Sequence, residues 1–516
     1  MEAPRTTDGQ RGARRPKQGS WMDGDALRRS SVPETLRSVL READYTEPAV
    51  EKRLAGGLLQ GGPDLPLLLR RLAGDDRLDR LIRLFCLGDA LGESDVAGLL
   101  GRDLAGSMLR LGLLRRREGD VAATLMIAPS QGVWVASDFP GFRRDGTVGA
   151  GYVPGVSSLS ATLVRLAVRR QVASALDVGA GNGIQAFAAS RHARSVVGTD
   201  TNPRALACAV LGAELNGIAN VEWREGSFFE PVQGERFDLV VANPPFVVSP
   251  EMQYLFRDGA SEGDGVAELV VRGTAGHLAP GGFGFVALNW LHAAEGDWAL
   301  GPLRWLEGAE CDAWLLHSES LDPLGYAAHW LRQTEGNDPR AYGRRLDAWT
   351  AYFRSLSIEA IGMGVIVLRK RPGASNWFRT TSVRGDALGD RCGEHIERVF
   401  EAEDLLQALP DEAALLGLRL EVHRDHVLES VQVIRDGERR VESLRLRRTR
   451  GIRIQGNVDE PVVRLLLACD GRRTLREVAD GLAADMELDV SSAERAVLTI
   501  AGNLLSSGVL VPSAEA

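Results

Sequence analysis

The sequence predicts a doubly wound α/β domain in the middle of the chain, and three stretches predict it. An apolar strand at residues 175–178 runs into a glycine-rich turn and then into an apolar helix at residues 184–189. A second strand at residues 195–200 and a third at residues 237–242 follow, with helical stretches between them. Strands that alternate with helices pair in parallel, so the helices should cover both faces of one sheet.

The glycine-rich turn has the residue types of a ligand-binding loop. Its residues are Gly179, Ala180, Gly181, Asn182 and Gly183. Glycine adopts positive φ without strain and lets the backbone approach a ligand closely, and the following helix points its N-terminal amides at the same place. The third glycine comes one residue earlier than in the dinucleotide fingerprint G-x-G-x-x-G, which argues against a nicotinamide enzyme.

Asp200 ends the second strand, 17 positions after Gly183 (200 − 183). A carboxylate at that place can accept the hydroxyls of a ribose, as the acidic residue does in dinucleotide-binding folds. Asn202 and Pro203 predict the start of the next helix, with Asn202 as N-cap and proline in the first turn. Asp200 can also favour that helix N-terminus, but its spacing from the turn indicates the ribose role.

The third strand ends in the tetrapeptide Asn243-Pro244-Pro245-Phe246. Each proline fixes its own φ and pushes the preceding residue to an extended conformation, so the loop is stiff. The Asn243 side-chain oxygen and the Pro244 carbonyl can each accept an N–H bond from a planar amine, to which Phe246 can offer a ring face. Alone, the tetrapeptide is a turn signal; its place after a buried strand indicates a functional site.

These motifs resemble those of the class I S-adenosylmethionine (SAM) methyltransferases, D-x-G-x-G-x-G at the turn and N-P-P-[YF] after the later strand. The resemblance covers about residues 150–372, and residues 237–250 are most similar to the HemK-type glutamine methyltransferases. Ribosomal RNA guanine-N2 enzymes share Asn-Pro-Pro-Phe but usually follow it with histidine, where Val247 stands here. The implied fold is a Rossmann-like core of seven strands whose sheet closes near Arg371.

The resemblance also implies the residues of a SAM site and of an acceptor site. Those implied to bind SAM are Asp177, Gly179, Ala180, Gly181, Asn182, Gly183, Asp200, Ser227, Phe228 and Asn243. Those implied to carry catalysis are Asn243, Pro244, Pro245 and Phe246. Phe228 keeps the aromatic that flanks adenine, whereas Ser227 stands where glutamine methyltransferases often have aspartate. Residues 153–158 are either a lid over bound SAM or a plain linker.

The implied function is SAM-dependent N-methylation of a planar nitrogen in a macromolecule. The first expectation is an exocyclic base amine in ribosomal or transfer RNA, and the alternative is a glutamine amide in a translation (release) factor. A third hypothesis, from another class, is a regulator that binds SAM without catalysis. The intact motif at residues 243–246 argues against a regulator.

Length and composition set the outer limits. A chain of 516 residues should hold about two to four domains, and its 44% hydrophobic residues suffice for sizeable cores. The net charge of −9 argues against a chain that is basic throughout, without excluding a local nucleic-acid surface. Five scattered cysteines, no apolar stretch near the ~20 residues of a membrane span and no signal-peptide pattern predict a cytoplasmic protein.

The flanking regions predict further domains. Residues 1–32 predict a disordered basic arm, and residues 33–140 a helical, winged-helix-like domain that ends in a hairpin at residues 113–117 and 121–127. A winged helix can place its third helix on nucleic acid, so its arginines either contact phosphate or face solvent. These arginines are Arg110, Arg115, Arg116 and Arg117.

Residues 373–516 predict an α+β region that ends in a second winged-helix-like unit. The strand at residues 441–448 alternates leucine and arginine, so one face is apolar and the other basic, and a solvated edge strand is the plainer interpretation. The arginines of this run are Arg445, Arg447, Arg448, Arg450 and Arg453. His423 and His426 are too isolated to predict a metal site.

Overall fold

The computed structural model describes residues 24–55, 65–74, 76–140, 149–251, 257, 263–292, 297–335, 338–373, 375–383, 387–453 and 455–513. Most of the predicted basic arm and of the polar loop at residues 251–264 lies outside these ranges. The folded chain nevertheless starts earlier than the predicted arm allows, because residues 24–28 form a helix whose Leu27 is fully buried.

The N-terminal region is mostly helical. Its helices are α1 (Gly24–Arg28), α2 (Val32–Glu42), α3 (Glu47–Leu54), α4 (Leu65–Arg71), α5 (Arg77–Leu81), α6 (Glu93–Leu100) and α7 (Arg102–Arg110), and a π-helical turn, Ile82–Cys86, continues α5. Its strands are β1 (Leu91–Gly92), β2 (Leu114–Arg117), β3 (Asp120–Ala123), β4 (Met126–Ser130) and β5 (Val133–Ser137).

Two small sheets form in this region, and they split one predicted strand. Strands β1, β3 and β2 form a sheet in that order, whereas β4 pairs with β5. The prediction of a single strand at residues 121–127 is therefore wrong. These residues contain β3 and the start of β4, which belong to different sheets. The helices and hairpin that a winged helix requires are present between α5 and β3, while that interpretation and its nucleic-acid contact stay predictions.

The central region alternates strands and helices. Its helices are α8 (Ser158–Leu166), α9 (Ile184–Ala189), α10 (Pro203–Asn216), α11 (Gly265–His277), α12 (Leu300–Arg304), α13 (Pro323–Glu335) and α14 (Pro339–Ser355). Its strands are β6 (Val172–Val178), β7 (Ala193–Asp200), β8 (Val221–Glu225), β9 (Phe237–Ala242), β10 (Leu278–His292), β11 (Cys311–Leu321) and β12 (Ala360–Lys370). An eighth strand, β13 (Phe378–Ser382), follows.

These strands form one sheet in the order β13-β11-β12-β10-β9-β6-β7-β8. Strand β12 runs antiparallel to β10 and β11, and the other neighbours are parallel. The predicted seven-stranded Rossmann-like core is present. The predicted closure near Arg371 is wrong, because β13 pairs with β11 and extends the sheet beyond that residue.

The C-terminal region contains two further small sheets. Its helices are α15 (Cys392–Ala408), α16 (Glu412–Leu416), α17 (Glu460–Ala468), α18 (Leu475–Asp485) and α19 (Val490–Ser506). Its strands are β14 (Arg419–Val422), β15 (His426–Arg435), β16 (Glu438–Arg448), β17 (Gln455–Val458), β18 (Asp470–Thr474) and β19 (Leu510–Pro512). The sheet orders are β18-β14-β19 and β15-β16-β17. The capping box of Thr474 and Glu477, one of the clearest local signals, starts α18.

The flanking regions pack directly on the central sheet domain. Residues of α10, including the fully buried Leu211 and Leu215, belong to the same apolar core as Leu36 and Leu40 of α2. On the other side, the Phe400 ring of α15 meets Phe283 of β10 edge-on at 5.3 Å between centroids. The three predicted regions are thus joined through shared apolar cores.

Candidate functional site

The ends of β6, β7 and β9 bring the predicted ligand-binding residues to one edge of the sheet. The strand order reverses at β6, because β7 and β8 lie on one side and β9 and β10 on the other. Ligands of doubly wound sheets bind in the crevice at such a reversal. Here Gly179 and Pro244 approach each other at that edge, and a Cβ built on Gly179 would lie 3.8 Å from the Pro244 Cα.

The three glycines of the turn all have left-handed backbone angles. Their φ values are 69° at Gly179, 55° at Gly181 and 84° at Gly183. Gly183 is also required by packing, because a Cβ there would lie 2.8 Å from the Phe187 ring and 3.0 Å from Trp223. Any other residue at these positions strains the backbone, so the sequence fixes the shape of the turn through glycine.

The two residues between the glycines hold the turn in place. Ala180 donates its N–H to the Thr199 carbonyl at 2.8 Å. Asn182 donates its side-chain N–H to the Pro154 carbonyl at 3.0 Å and accepts the Ile184 N–H at 3.2 Å. The hydrogen-bonding groups of both residues are thus used within the chain, and their predicted contact with a cofactor stays a prediction.

Asp200 connects the turn to the next helix. One carboxylate oxygen accepts the Gly181 N–H at 2.8 Å and the other accepts the Asn202 N–H at 2.8 Å. Asn202 in turn accepts the Arg204 N–H at 3.0 Å, as the predicted N-cap of α10. Burial raises the pKa of Asp200. A carboxylate has about four acceptor sites, so two hydroxyls can still bind beside the two amides.

Asp177 is buried at the end of β6, and its predicted contact with SAM stays a prediction. Its side chain is 2% exposed and accepts the Ala186 N–H of α9 at 2.9 Å. Burial raises its pKa to about 7, the Ala186 hydrogen bond opposes the shift, and the nearby Asp200 charge adds to it. Asp177 therefore holds the first turn of α9 against the end of β6.

Asn243 is held in one orientation by a serine of α8. Its side-chain N–H donates to the Ser160 Oγ at 3.1 Å, and Ser160 itself lies within 3.0 Å of the Ser157 Oγ. No hydrogen bond to the Asn243 Oδ1 is made within the described part of the chain. The oxygen that a target N–H would need is thus left available in this orientation.

Phe246 lies below the surface of the tetrapeptide. Its side chain is 8% exposed, and its ring meets Trp330 edge-on at 6.3 Å between centroids. Pro245 remains half-buried, whereas Pro244 and Val247 are buried. Phe246 therefore contributes to the apolar core behind the loop, and its predicted stacking on an acceptor stays a prediction.

Ser227 and Phe228 lie in the loop after β8 and are both half-buried. Phe228 has a φ of 45°, and its carbonyl accepts the Thr199 hydroxyl at 2.9 Å. The Ser227 N–H donates to the Glu230 carboxylate at 3.3 Å. The loop is thus anchored beside the end of β7, next to Asp200, where the predicted adenine contact requires it.

A family model described as the methyltransferase small domain matches residues 156–291, which include every strand end of this site. These residues form a methyltransferase small domain. Two other family models, both of domains of unknown function, match residues 42–124 and 397–512. The match places the glycine turn and the Asn243 loop within one recognised domain.

Curated relatives agree with the methyltransferase domain. The release factor glutamine methyltransferase of Geobacter sulfurreducens is 37% identical over 143 residues, which are 25% of this chain and 50% of that protein. A putative protein N5-glutamine methyltransferase of Methanocaldococcus jannaschii is 31% identical over 115 residues, 21% of this chain and 57% of that protein. The chain spans about half the length of the curated relatives it matches.

Similarity to solved structures is weaker. A methyltransferase from Pyrococcus furiosus is 14% identical, covers 42% of this chain and 84% of that protein, and has a TM-score of 0.27. At that score the similarity carries no argument about substrate. The class I SAM methyltransferase recognised from the sequence is confirmed by the family model, the curated relatives and the strand order.

The crevice of the methyltransferase domain fits SAM, the methyl donor of this family. The positive-φ glycines leave room beside Pro244 that a side chain would fill, and Asp200 presents a carboxylate at the end of β7. The N-terminus of α9 points at the same space, and its amides favour the carboxylate end of an amino acid. Gly179, Gly181 and Asp200 fit the cofactor in this way, and their contact with it stays a prediction.

Two residues that anchor the domain's site were not found from the sequence. Ser160 orients Asn243, and Asp138 accepts the Val153 N–H at 2.9 Å and the Arg204 Nε–H at 3.0 Å. Both are joined to their partners across the fold, so no local motif marks them. Together with the Asn182 bond to Pro154, the Asp138 contacts fix residues 153–154 on the glycine turn and α10, and a lid role for them stays a prediction.

The arginines predicted to form basic surfaces outside the site differ in their exposure. Arg110, Arg115 and Arg117 are exposed, and Arg116 pairs with Glu93 at 2.7 Å. Arg448 belongs to the predicted run of arginines at residues 445–453, but its side chain is 3% exposed and lies away from solvent. Its guanidinium donates to the Ser507 carbonyl and contacts His395, so it packs α15 and α19 against β16.

No metal cluster and no membrane-crossing helix occur in the described ranges. No group of three histidines, cysteines or carboxylates there has the geometry to hold an ion. The rings of His423 and His426 lie 6.2 Å apart. No helix of the described chain is long and apolar enough to cross a bilayer.

Proposed function

We propose that this protein is a SAM-dependent N-methyltransferase whose acceptor is the side-chain amide of a glutamine in another protein. One observation carries the proposal. Asn243 is fixed by its N–H to Ser160, and its Oδ1 faces no hydrogen-bond donor in the described structure. An acceptor so placed, across the crevice from the glycine turn, can receive an N–H of a planar nitrogen.

The chain's own residues supply positioning. When bound, SAM supplies a methyl group on a positively charged sulfur, which leaves as a neutral thioether. The Asn243 Oδ1 and the Pro244 carbonyl accept hydrogen bonds from the two N–H groups of the target nitrogen. These hydrogen bonds turn the lone pair of the nitrogen toward that methyl group. The nitrogen then releases one proton to solvent. Because the charge on sulfur is lost as the new bond forms, correct placement provides much of the rate without a strong base.

Two observations favour a glutamine amide over the RNA base expected first. Two relatives that match the methyltransferase domain, those of Geobacter sulfurreducens and Methanocaldococcus jannaschii, are named glutamine methyltransferases. Phe246 is 8% exposed, so the tetrapeptide offers a base little aromatic face, and recognition of an unpaired base usually depends on such stacking. An amide needs only the two acceptors that Asn243 and Pro244 provide.

The test is methylation of an extract from cells that lack the gene, with methyl-labelled SAM and the purified full chain. Label that survives nuclease, is removed by protease and is recovered as methylglutamine after digestion supports the proposal. Label that nuclease releases would overturn it in favour of RNA. The Asn243→Ala variant is the background control. Absence of any label, with SAM bound, would instead favour the regulator.

A further inference from the structure

The sheet formed by β15, β16 and β17 leaves the outer edge of a long strand, β15, unpaired. Strand β15 is the edge of that sheet, and on its outer side no strand of the described chain pairs with it. Its ten residues contain no proline and no lysine. Soluble proteins usually protect such edges with those residues or with a covering element, because a bare edge is a template for another strand.

Apolar side chains are exposed along this edge strand. The exposed fractions are 36% for Val427, 45% for Leu428, 46% for Val431 and 80% for Ile434. Successive side chains point to opposite faces of a sheet, so both faces of β15 carry exposed apolar groups. A bare edge with apolar groups on both faces indicates a surface that another chain covers.

The order of residues on β15 is complementary to itself. Suppose that a second β15 runs antiparallel to the first about a two-fold axis at Gln432. Gln432 then lies opposite its own copy, and the residue numbers of every opposed pair add to 864, twice 432. Glu429 of one copy then faces Arg435 of the other, and Val431 faces Val433. These four residues alternate with their neighbours, so they share one face. The face then has two ion pairs at its ends and two valine contacts between them.

Neighbouring registers lose this match. An axis at Val431 sets Glu429 against Val433, and an axis at Val433 sets Val431 against Arg435. Either shift leaves a charged group opposite an apolar one. In the single chain the Arg447 Nε binds one Glu429 oxygen at 2.6 Å, so the second oxygen can face the other copy.

We propose that two copies of this chain associate through β15, forming one continuous six-stranded antiparallel sheet about a two-fold axis at Gln432. The partner is a second copy because the charge order of β15 matches its own reverse. The dimer covers Val431 and Ile434 and pairs the bare edge. It is independent of the methyl acceptor, because the site residues lie on β6, β7 and β9.

The register is tested by oxidative cross-linking of the full chain. Opposed residues of antiparallel strands have Cα atoms roughly 4.5–5.5 Å apart, within the range of a disulfide. A Gln432→Cys variant should therefore give a covalent dimer, because the axis sets residue 432 against its own copy. Ser430→Cys, two residues away on the same strand, should not, since Ile434 lies opposite. The native cysteines are all buried and do not interfere. Equal cross-linking of both variants, or of neither, overturns the proposal.

The charge order is tested by sedimentation equilibrium. Glu429→Arg and Arg435→Glu each create two like-charge contacts in the dimer and should weaken association on the order of tenfold. The double variant exchanges the charges and should restore it. Arg439→Glu changes an exposed arginine of β16 and should have no effect. Melting temperatures show that each variant is folded. A wild-type chain that stays monomeric, or a double variant no tighter than the singles, overturns the proposal.

Discussion

At the scale of single residues, Asn243 donates its side-chain N–H to Ser160, and its oxygen can accept an N–H of the nitrogen to be methylated. The amide is placed to contact the target nitrogen, so Asn243→Ala should leave the SAM dissociation constant nearly unchanged and lower kcat by roughly 10²–10³. Asn243→Asp keeps an acceptor oxygen, so its single-turnover rate should fall between those of the wild type and the alanine variant. If the alanine variant loses SAM binding and methylates normally at saturation, Asn243 is a cofactor ligand.

Ser160 is predicted to act only through Asn243. Ser160→Ala removes one hydrogen bond worth about 0.5–1.5 kcal/mol, so kcat should fall by a few-fold to tenfold while the SAM affinity stays constant. Ser157→Ala is the matched control, because Ser157 caps α8 by accepting the Ser160 N–H at 3.0 Å. It should lower the melting temperature and, because it also removes the contact with the Ser160 Oγ, lower kcat less than Ser160→Ala does. An equal loss of kcat in both variants would show that α8 matters as a whole.

The two buried carboxyls predict that SAM binding depends on pH. Burial raises the pKa of Asp177 to about 7 and also raises that of Asp200. In the free protein the stability that neutral Asp177 contributes is fully present below its unfolded pKa, near 4, and is lost as pH rises through about 7. A cationic ligand prefers the ionised carboxyls, so SAM affinity should rise roughly tenfold between pH 6 and pH 8.

Calorimetry in buffers of different ionisation enthalpy measures this linkage. Proton release on SAM binding is expected at pH 6 and should vanish by pH 8. Asp177→Asn keeps an oxygen for the Ala186 N–H and removes the titrating group, so it should flatten the pH profile. A variant with an unchanged profile would remove Asp177 from the linkage and leave Asp200 as its source.

At the scale of elements, local patterns predicted what local chemistry determines. The bounds of α9 and β9 agree with the prediction, because a glycine turn, an apolar run and a proline pair mark their ends. The residues Pro280-Gly281-Gly282 are a local turn signal, yet β10 starts at Leu278 and passes them with a register shift. Pairing with β9 and β12 overrides the glycines there, which no local pattern shows.

In the candidate site, too, residues within local motifs were predicted and residues in long-range contacts were not. Gly179, Asp200 and Asn243 were predicted because each belongs to a short motif whose spacing has a chemical reason. Ser160 lies 83 positions from Asn243, and Asp138 lies 66 positions from Arg204, so their contacts depend on the tertiary fold. The edge strand β13 has no apolar alternation, and only its pairing with β11 defines it.

Asp138 provides the prediction at this scale, because it joins the end of β5 to residue Val153 and to α10. The carboxylate is 1% exposed, and Asp138→Ala removes its ion pair with Arg204 and its hydrogen bond from the Val153 N–H in a site that is mostly buried. Breaking such a pair costs about 3–5 kcal/mol, so thermal denaturation should show a large loss of stability. SAM binding should also weaken, because residues 153–154 lose their anchor. Glu93→Ala, which breaks the exposed pair with Arg116, should cost less than about 1 kcal/mol.

At the scale of the whole molecule, the methyltransferase domain shares its apolar cores with the regions on either side. The sequence presented residues 150–372 as a separate domain. In the structure, Leu211 and Leu215 of α10 are fully buried against the N-terminal helices, and α10 begins directly after Asp200. The Arg37 guanidinium also donates to the Leu215 carbonyl at 2.8 Å, at the C-terminal end of α10. The N-terminal region thus supports the helix that follows the cofactor site.

We therefore expect that a fragment of residues 145–372 does not fold on its own. It lacks α1 to α7, which bury Leu211 and Leu215, and α15, whose Phe400 covers Phe283. Exposing these three side chains costs about 1.5–3 kcal/mol each, and the sum is comparable with the 5–15 kcal/mol by which domains are usually stable. A fragment of residues 24–513 keeps every described element and should melt cooperatively at the temperature of the full chain. Circular dichroism melts and SAM titration of both fragments measure the difference. If the shorter fragment melts cooperatively and binds SAM with the affinity of the full chain, the flanking regions serve the acceptor alone.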